Sequence, residues 1–112
     1  MQESRLKAAL DTHFSDDLDE MMMVAEHGCS GGVSGFIYYY ETRKFFNEYE
    51  EEIEQELRDL YGDYWFLEIA KLKAVDDTMT FKNLCVWIVV ETYCQCKLEE
   101  LNVSHMLDFL NV

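Results

Sequence analysis

Apolar residues recur at helical spacing along most of the chain. Leu6 and Leu10 share one side of a segment from about Glu3 to Thr12, which predicts a short first helix. Ser15 or Asp16 then reads as an N-cap, acids follow it, and Leu18, Met21, Met22 and Val24 or Ala25 form the stripe of a second helix that Gly28 stops. Thr42 caps the clearest element, about Arg43 to Tyr61, where Phe45, Phe46, Tyr49, Ile53, Leu57 and Leu60 make a broad stripe and Gly62 ends it. The next helix begins near Asp63 or Tyr64 and runs to Lys73 or Ala74, with Trp65, Phe66, Ile69 and Leu72 facing inward. Thr80 caps the last long helix, Phe81 to about Leu101, whose centre from Leu84 to Val90 is apolar on all sides and therefore belongs in the middle of the core. Its β-branched content leaves a buried strand as the alternative, but the pattern runs longer than a typical strand. Met106, Leu107 and Leu110 add one more short helix in the tail from Asn102 to Val112.

Breakers place the loops. The chain has no proline, and its glycines stand at 28, 31, 32, 35 and 62, so strong interruptions are confined to two places. Between them, Gly35 to Tyr40 fits either a short strand or one or two helical turns. The expected fold is a single all-α domain, residues 1–112, a bundle of five or six helices with a short hairpin near 33–40 as the one open β element. No repeat, low-complexity tract or linker divides it.

Composition changes the picture of partners more than of fold. At 112 residues, 49% apolar and 14% aromatic, the chain can bury roughly two thirds of its surface in one core. With 23 acids against 9 bases and a net charge of −14, direct contact with nucleic acid or an anionic membrane is disfavoured, since phosphate binding relies on Lys and Arg. The natural counterpart is a basic protein, a polycation or a divalent metal. No apolar run reaches the roughly 18 residues a bilayer span requires. The opening residues, Met1 to Lys7, lack the apolar core of a signal peptide, so the expected compartment is the cytoplasm, with Cys29, Cys85, Cys94 and Cys96 as reduced thiols.

Candidate chemistry is sparse. The glycine-rich stretch from Gly28 to Gly35 offers successive amides for an anion nest, but neither phosphate-binding glycine pattern is present and no Lys or Arg occurs between Lys7 and Arg43, so it reads as a structural crossover. His27, Cys29, Cys94 and Cys96 are zinc-ligand types, yet each pair is separated by one residue rather than by the spacing of a zinc knuckle. Small core thiols are the plainer reading. No partner completes Cys29 and His27 as a nucleophile and base. Asp76 and Asp77 lack the alternating ligands of a calcium loop, and His13 and His105 stand alone. The sequence therefore presents no catalytic set, no metal site and no cofactor site.

One feature is concentrated. Glu48, Glu50, Glu51, Glu52, Glu54, Glu56 and Asp59 place seven carboxylates against the single cation Arg58. On a helix rising about 1.5 Å per residue, that is one negative charge every ~2.6 Å, within a factor of two of duplex DNA at one per ~1.7 Å. Like-charged neighbours such as Glu48/Glu52, Glu50/Glu54 and Glu52/Glu56 each cost roughly 0.2–0.5 kcal/mol, and no Lys relieves them. That imbalance favours a selected acidic surface over an incidental solvated face.

The block His27 to Tyr39, followed by Glu41-Thr42, Phe45-Phe46 and the acidic run Tyr49 to Ile53, resembles a family of small acidic proteins encoded by phages, prophages and other mobile elements. Phe81-Lys82-Asn83-Leu84, with the apolar run and Glu91 after it, resembles that family's C-terminal segment, so the likeness covers about residues 16 to 98. It carries over no catalytic or binding residues. Mobile-element context implies an inhibitor of host nucleic-acid defence, a restriction nuclease or a CRISPR effector, whose channels are basic. Glu48, Glu50, Glu51, Glu52, Glu54, Glu56 and Asp59 would form the contact set, extended by Asp16, Asp17, Asp19 and Glu20, with Tyr38, Tyr39 and Tyr40 as aromatic anchors. The alternative is a non-enzymatic adaptor or homodimer that binds through an apolar groove.

Overall fold

The computed structural model describes residues 1–15, 17–27, 39–75 and 79–110, with side chains over 1–15, 17–26, 42–75 and 79–102. Six helices follow one another among these residues: α1 (Arg5–Phe14), α2 (Leu18–His27), α3 (Tyr39–Glu48), α4 (Glu50–Tyr61), α5 (Trp65–Val75) and α6 (Phe81–Leu110). No strand occurs among them, and the all-α class read from periodicity holds. Most of the hairpin window lies outside the described residues, and its end, Tyr39 and Tyr40, opens α3.

Local chemistry sets the first boundaries. Ser4 is extended (φ −164°, ψ 171°), and its hydroxyl oxygen accepts from the Lys7 amide at 3.1 Å, satisfying one of the orphan donors of a helix start. Ser15 adopts the left-handed conformation (φ 46°) and its amide donates to Asp11 O. It closes α1 rather than capping α2, which corrects the expected N-cap. Asp17 does that work: its Oδ1 accepts from the Glu20 amide at 3.2 Å.

The long acidic helix is in fact two. Tyr49 (φ −113°, ψ 27°) separates α3 from α4, and because α3 starts at Tyr39, Thr42 is a buried interior residue and not a cap. Arg5 of α1 holds the break. Its Nη2 donates to the Glu48 carbonyl at 3.3 Å, its Nε to Glu52 Oε1 at 2.8 Å, and its guanidinium lies 5.4 Å from the Tyr49 ring centre. A carbonyl freed at the end of α3 is thus satisfied from a helix more than forty residues earlier.

All five other helices pack on α6, where Leu84, Cys85, Val86, Val89, Val90, Tyr93 and Cys94 are buried. Thr80 caps it as expected, accepting from the Asn83 amide at 3.2 Å. The helix continues to Leu110, so the expected separate tail helix is its final turns. At about 1.5 Å per residue it is about 45 Å long, close to the 50 Å longest dimension of the molecule. Tyr93 also donates its hydroxyl to Asp11 on α1, and its ring stacks on Phe14 with centroids 5.5 Å apart.

Inward-facing expectations fail on α5. Trp65 and Ile69 are buried, but Phe66 is 45% and Leu72 42% exposed. Phe66 is rotated about 100° from Trp65, outside the stripe that α4 and α6 cover. Leu18, Met22 and Leu60 of the expected stripes are exposed as well.

Candidate functional site

The geometry of α4 sorts its carboxylates by their angle from the buried pair Ile53 and Leu57. Glu50 and Glu51 are exposed, as are Glu48 at the end of α3 and Asp59 farther along. Asp59 accepts from Gln55 Nε2 at 3.0 Å. Glu54 is half-buried at the edge of this face, and exposed Arg58 lies in the same sector. A surface depression of about 320 Å³ opens at the α3–α4 junction between Arg5, Asn47, Glu48, Glu50, Glu51 and Glu52.

Two members leave the set. Glu52 is tied to Arg5 at 2.8 Å, and that hydrogen bond holds its carboxyl below the usual carboxylate range. Glu56 lies three residues after Ile53 and next to Leu57, on the packed face, and is only 9% exposed. Burial pushes its carboxyl up, and the amino group of Met1 works in the opposite direction. Neither belongs to an outward polyanionic row, which corrects the seven-residue contact set to Glu48, Glu50, Glu51 and Asp59, with Glu54 at its margin.

The break at Tyr49 also changes the energetics. It places Glu50, Glu51 and Glu52 in the first turn of α4, where each gains roughly 0.3–1 kcal/mol from the helix dipole. That offsets repulsion of roughly 0.2–0.5 kcal/mol per like-charged pair. Crowded acid here is partly a way of starting a helix.

The remaining candidates are dispersed. Asp17 and Asp19 are exposed and Glu20 half-buried, with Glu20 Oε1 3.6 Å from His13 Nε2. They belong to a helix packed chiefly against α6, apart from the α4 group. Asp16, Cys29 and Tyr38, and the side chains of His27, Tyr39 and Tyr40, lie outside the described residues. Cys94 is buried and Cys96 half-buried. Burial pushes the thiols of Cys85 and Cys94 up to about 12, which keeps them protonated and inert. Among the described residues no three His, Cys, Asp or Glu side chains converge as metal ligands, and no helix is long and apolar enough to cross a membrane.

Sequence reasoning missed an apolar surface. Of ten large apolar side chains exposed among the described residues, seven fall between Leu60 and Val75, so they form a concentration rather than the scatter normal for a protein surface. Its signal was present: α5 spreads apolar residues well beyond one stripe, with only Glu68, Lys71 and Lys73 between them. A separate hollow of about 500 Å³ lies between α2 and α6, lined by Leu18, Met22, Glu26, Leu98, Glu99, Leu101 and Asn102.

No curated protein and no solved structure matches the chain. The family model described as Domain of unknown function (DUF7222) matches residues 3–103, and the chain belongs to that family.

Proposed function

We propose that this member of the family is a non-catalytic inhibitor, encoded by a phage or another mobile element, that docks on the basic nucleic-acid channel of a host defence nuclease or CRISPR effector. The observation that carries this reading is the exposure of Glu48, Glu50 and Glu51 side by side where α3 meets α4, in a chain of net charge −14. Asp59, two turns farther along, extends the same acidic side. Carboxylates at these positions compete for the Lys and Arg side chains that otherwise hold phosphates, so binding excludes the nucleic acid. The site of action is the bacterial cytoplasm.

Affinity capture from a bacterial extract tests it, run at low and high salt with the chain and with a Glu50→Lys/Glu51→Lys/Asp59→Lys variant. A basic nuclease or effector retained by the first protein, lost by the variant and released by salt is the expected result, because exposed charges are screened over ~8–10 Å. Recovery of one partner by both proteins, undiminished in high salt, rejects the acidic side as the contact.

That second outcome fits the alternative, a non-enzymatic adaptor or homodimer. The hollow flanked by Leu18, Met22, Leu98 and Leu101 supports it, since apolar contact survives salt.

A further inference from the structure

Helix α5 leaves half of its circumference to solvent. At about 100° per residue, Phe66, Leu67, Ala70, Ala74 and Val75 fall in one continuous sector opposite the buried Trp65 and Ile69, and Tyr64 extends it at the start of the helix. All six are exposed. Lys71 is the one charge within that sector, and Glu68 and Lys73 stand half-buried at its two edges. Lys71 Nζ donates to Glu68 Oε1 at 3.1 Å, which holds the lysine head at the Glu68 edge and clears the middle of the face.

The charges select what fits there. From Leu60 to Val75 the chain carries two acids, Asp63 and Glu68, and two bases, Lys71 and Lys73, so the whole net charge of −14 lies outside this stretch. Two like-charged copies can meet here without local repulsion. The order of the charges is self-complementary as well, with acids first and bases last. A second α5 laid antiparallel about a two-fold axis near Ala70 sets Lys71 against the partner's Glu68, Lys73 beside the ring of the partner's Phe66 and Val75 on the partner's Tyr64, each pair formed twice. Ala70 and Ala74 let the two helices approach closely. A basic partner would instead meet Lys71 and Lys73, and an anionic one the charge of the rest of the molecule.

We propose that the outer face of α5 is the contact through which two copies of this chain pair, antiparallel, in a reversible dimer. The face offers on the order of a few hundred Å² per copy, short of the ~800 Å² that each partner gives a standard interface, so pairing is weak and the dilute chain is a monomer. The contact is separate from the acidic side at the α3–α4 junction and from the hollow between α2 and α6.

Sedimentation equilibrium of the full chain tests it, from dilute solution to about 1 mM, a range that resolves a Kd of that order. The series is run at about 0.1 M and about 1 M salt, where exposed charges are screened over ~10 Å and ~3 Å. The mass should rise with concentration toward two chains, and more steeply at high salt, because screening relieves the repulsion between the copies while apolar contact persists. That sign is opposite to the one expected for binding through the acidic side. Leu67→Glu should weaken pairing about tenfold or more, since it buries a charge in the contact, and Met22→Glu, matched in charge but in the α2–α6 hollow, should leave it unchanged. Lys71→Glu and Glu68→Lys should each weaken pairing severalfold by setting like charges across the contact, and an equal mixture of the two variants should pair again, because opposite charges then face each other. A chain that stays monomeric throughout, or one that loses pairing in Met22→Glu and keeps it in Leu67→Glu, overturns the proposal. A mixture that fails to recover overturns the antiparallel arrangement.

Discussion

Helices α4 and α5 follow one another across a single turn, pack against each other and share α6 as their floor, yet they treat solvent in opposite ways. α4 buries Ile53, Leu57 and Glu56 and turns Glu51, Gln55 and Asp59 outward. α5 buries Trp65 and Ile69 and turns Phe66, Leu67 and Val75 outward. Core packing dictates the inner faces of both. The outer faces are free of that constraint, so their contents are where selection for contacts with other molecules becomes visible. On α4 part of the charge is absorbed by Arg5 and by the start of the helix; on α5 no comparable internal use among the described residues accounts for the exposed apolar groups.

The inner face of α4 should dominate stability. Leu57→Ala removes a side chain with no exposed surface and should cost about 2–5 kcal/mol in chemical denaturation. A cost under ~1 kcal/mol would show that α4 is loosely docked and that the contrast with α5 is overstated. The turn between the helices comes next. Gly62 sits at φ 84°, ψ −168°, a region that L side chains rarely adopt, and nothing stands within 4 Å of an added Cβ. Gly62→Ala should therefore cost about 1–3 kcal/mol through backbone strain alone, measured by thermal unfolding.

Glu52 and Glu56 sharpen the contrast within α4, because their pH effects have opposite sign. The Glu52 carboxyl is held low, so it contributes stability above the ordinary carboxylate range, and that contribution is lost as pH falls through its folded value. The Glu56 carboxyl is raised, so folding favours its protonated form and stability is lost as pH rises through its folded value. Melting curves between acid and neutral pH should show Glu52→Gln destabilising near neutrality and converging with the parent on acidification. Glu56→Gln should instead gain on the parent as pH rises. Changes of the same sign in both variants would contradict the placement of these side chains on two faces.

The smallest effect belongs to the outer face of α5. Leu67, 51% exposed, should tolerate Leu67→Ala within about 0.5 kcal/mol. A larger loss that depends on protein concentration would place this face in contact with a second copy.

What was legible in the chain follows from how local each cause is. Thr80 as a cap, Gly62 as a stop and the central place of Leu84 to Val90 depend on neighbouring residues, and all three appear in the structure. The break at Tyr49 depends on Arg5, which reaches Glu48 and Glu52 from another helix, and nothing within the run from Arg43 to Tyr61 announces it. The inward turn of Glu56 is legible in its position, three residues after Ile53 and beside Leu57, where helical periodicity outweighs the run of acid around it. For α5 the pattern itself is ambiguous: apolar residues spread beyond one stripe read alike whether neighbours enclose them or leave them open.

The arrangement around α6 has a consequence for how the molecule is made. Ribosomes release α1 to α5 before the one element against which all of them pack, so the nascent chain carries five amphipathic or apolar segments with no common support until the last of them has already emerged. A premature stop anywhere before Leu84 would leave those segments unsheltered, and such a fragment should be cleared by proteases or drawn into aggregates instead of persisting as a smaller version of the fold.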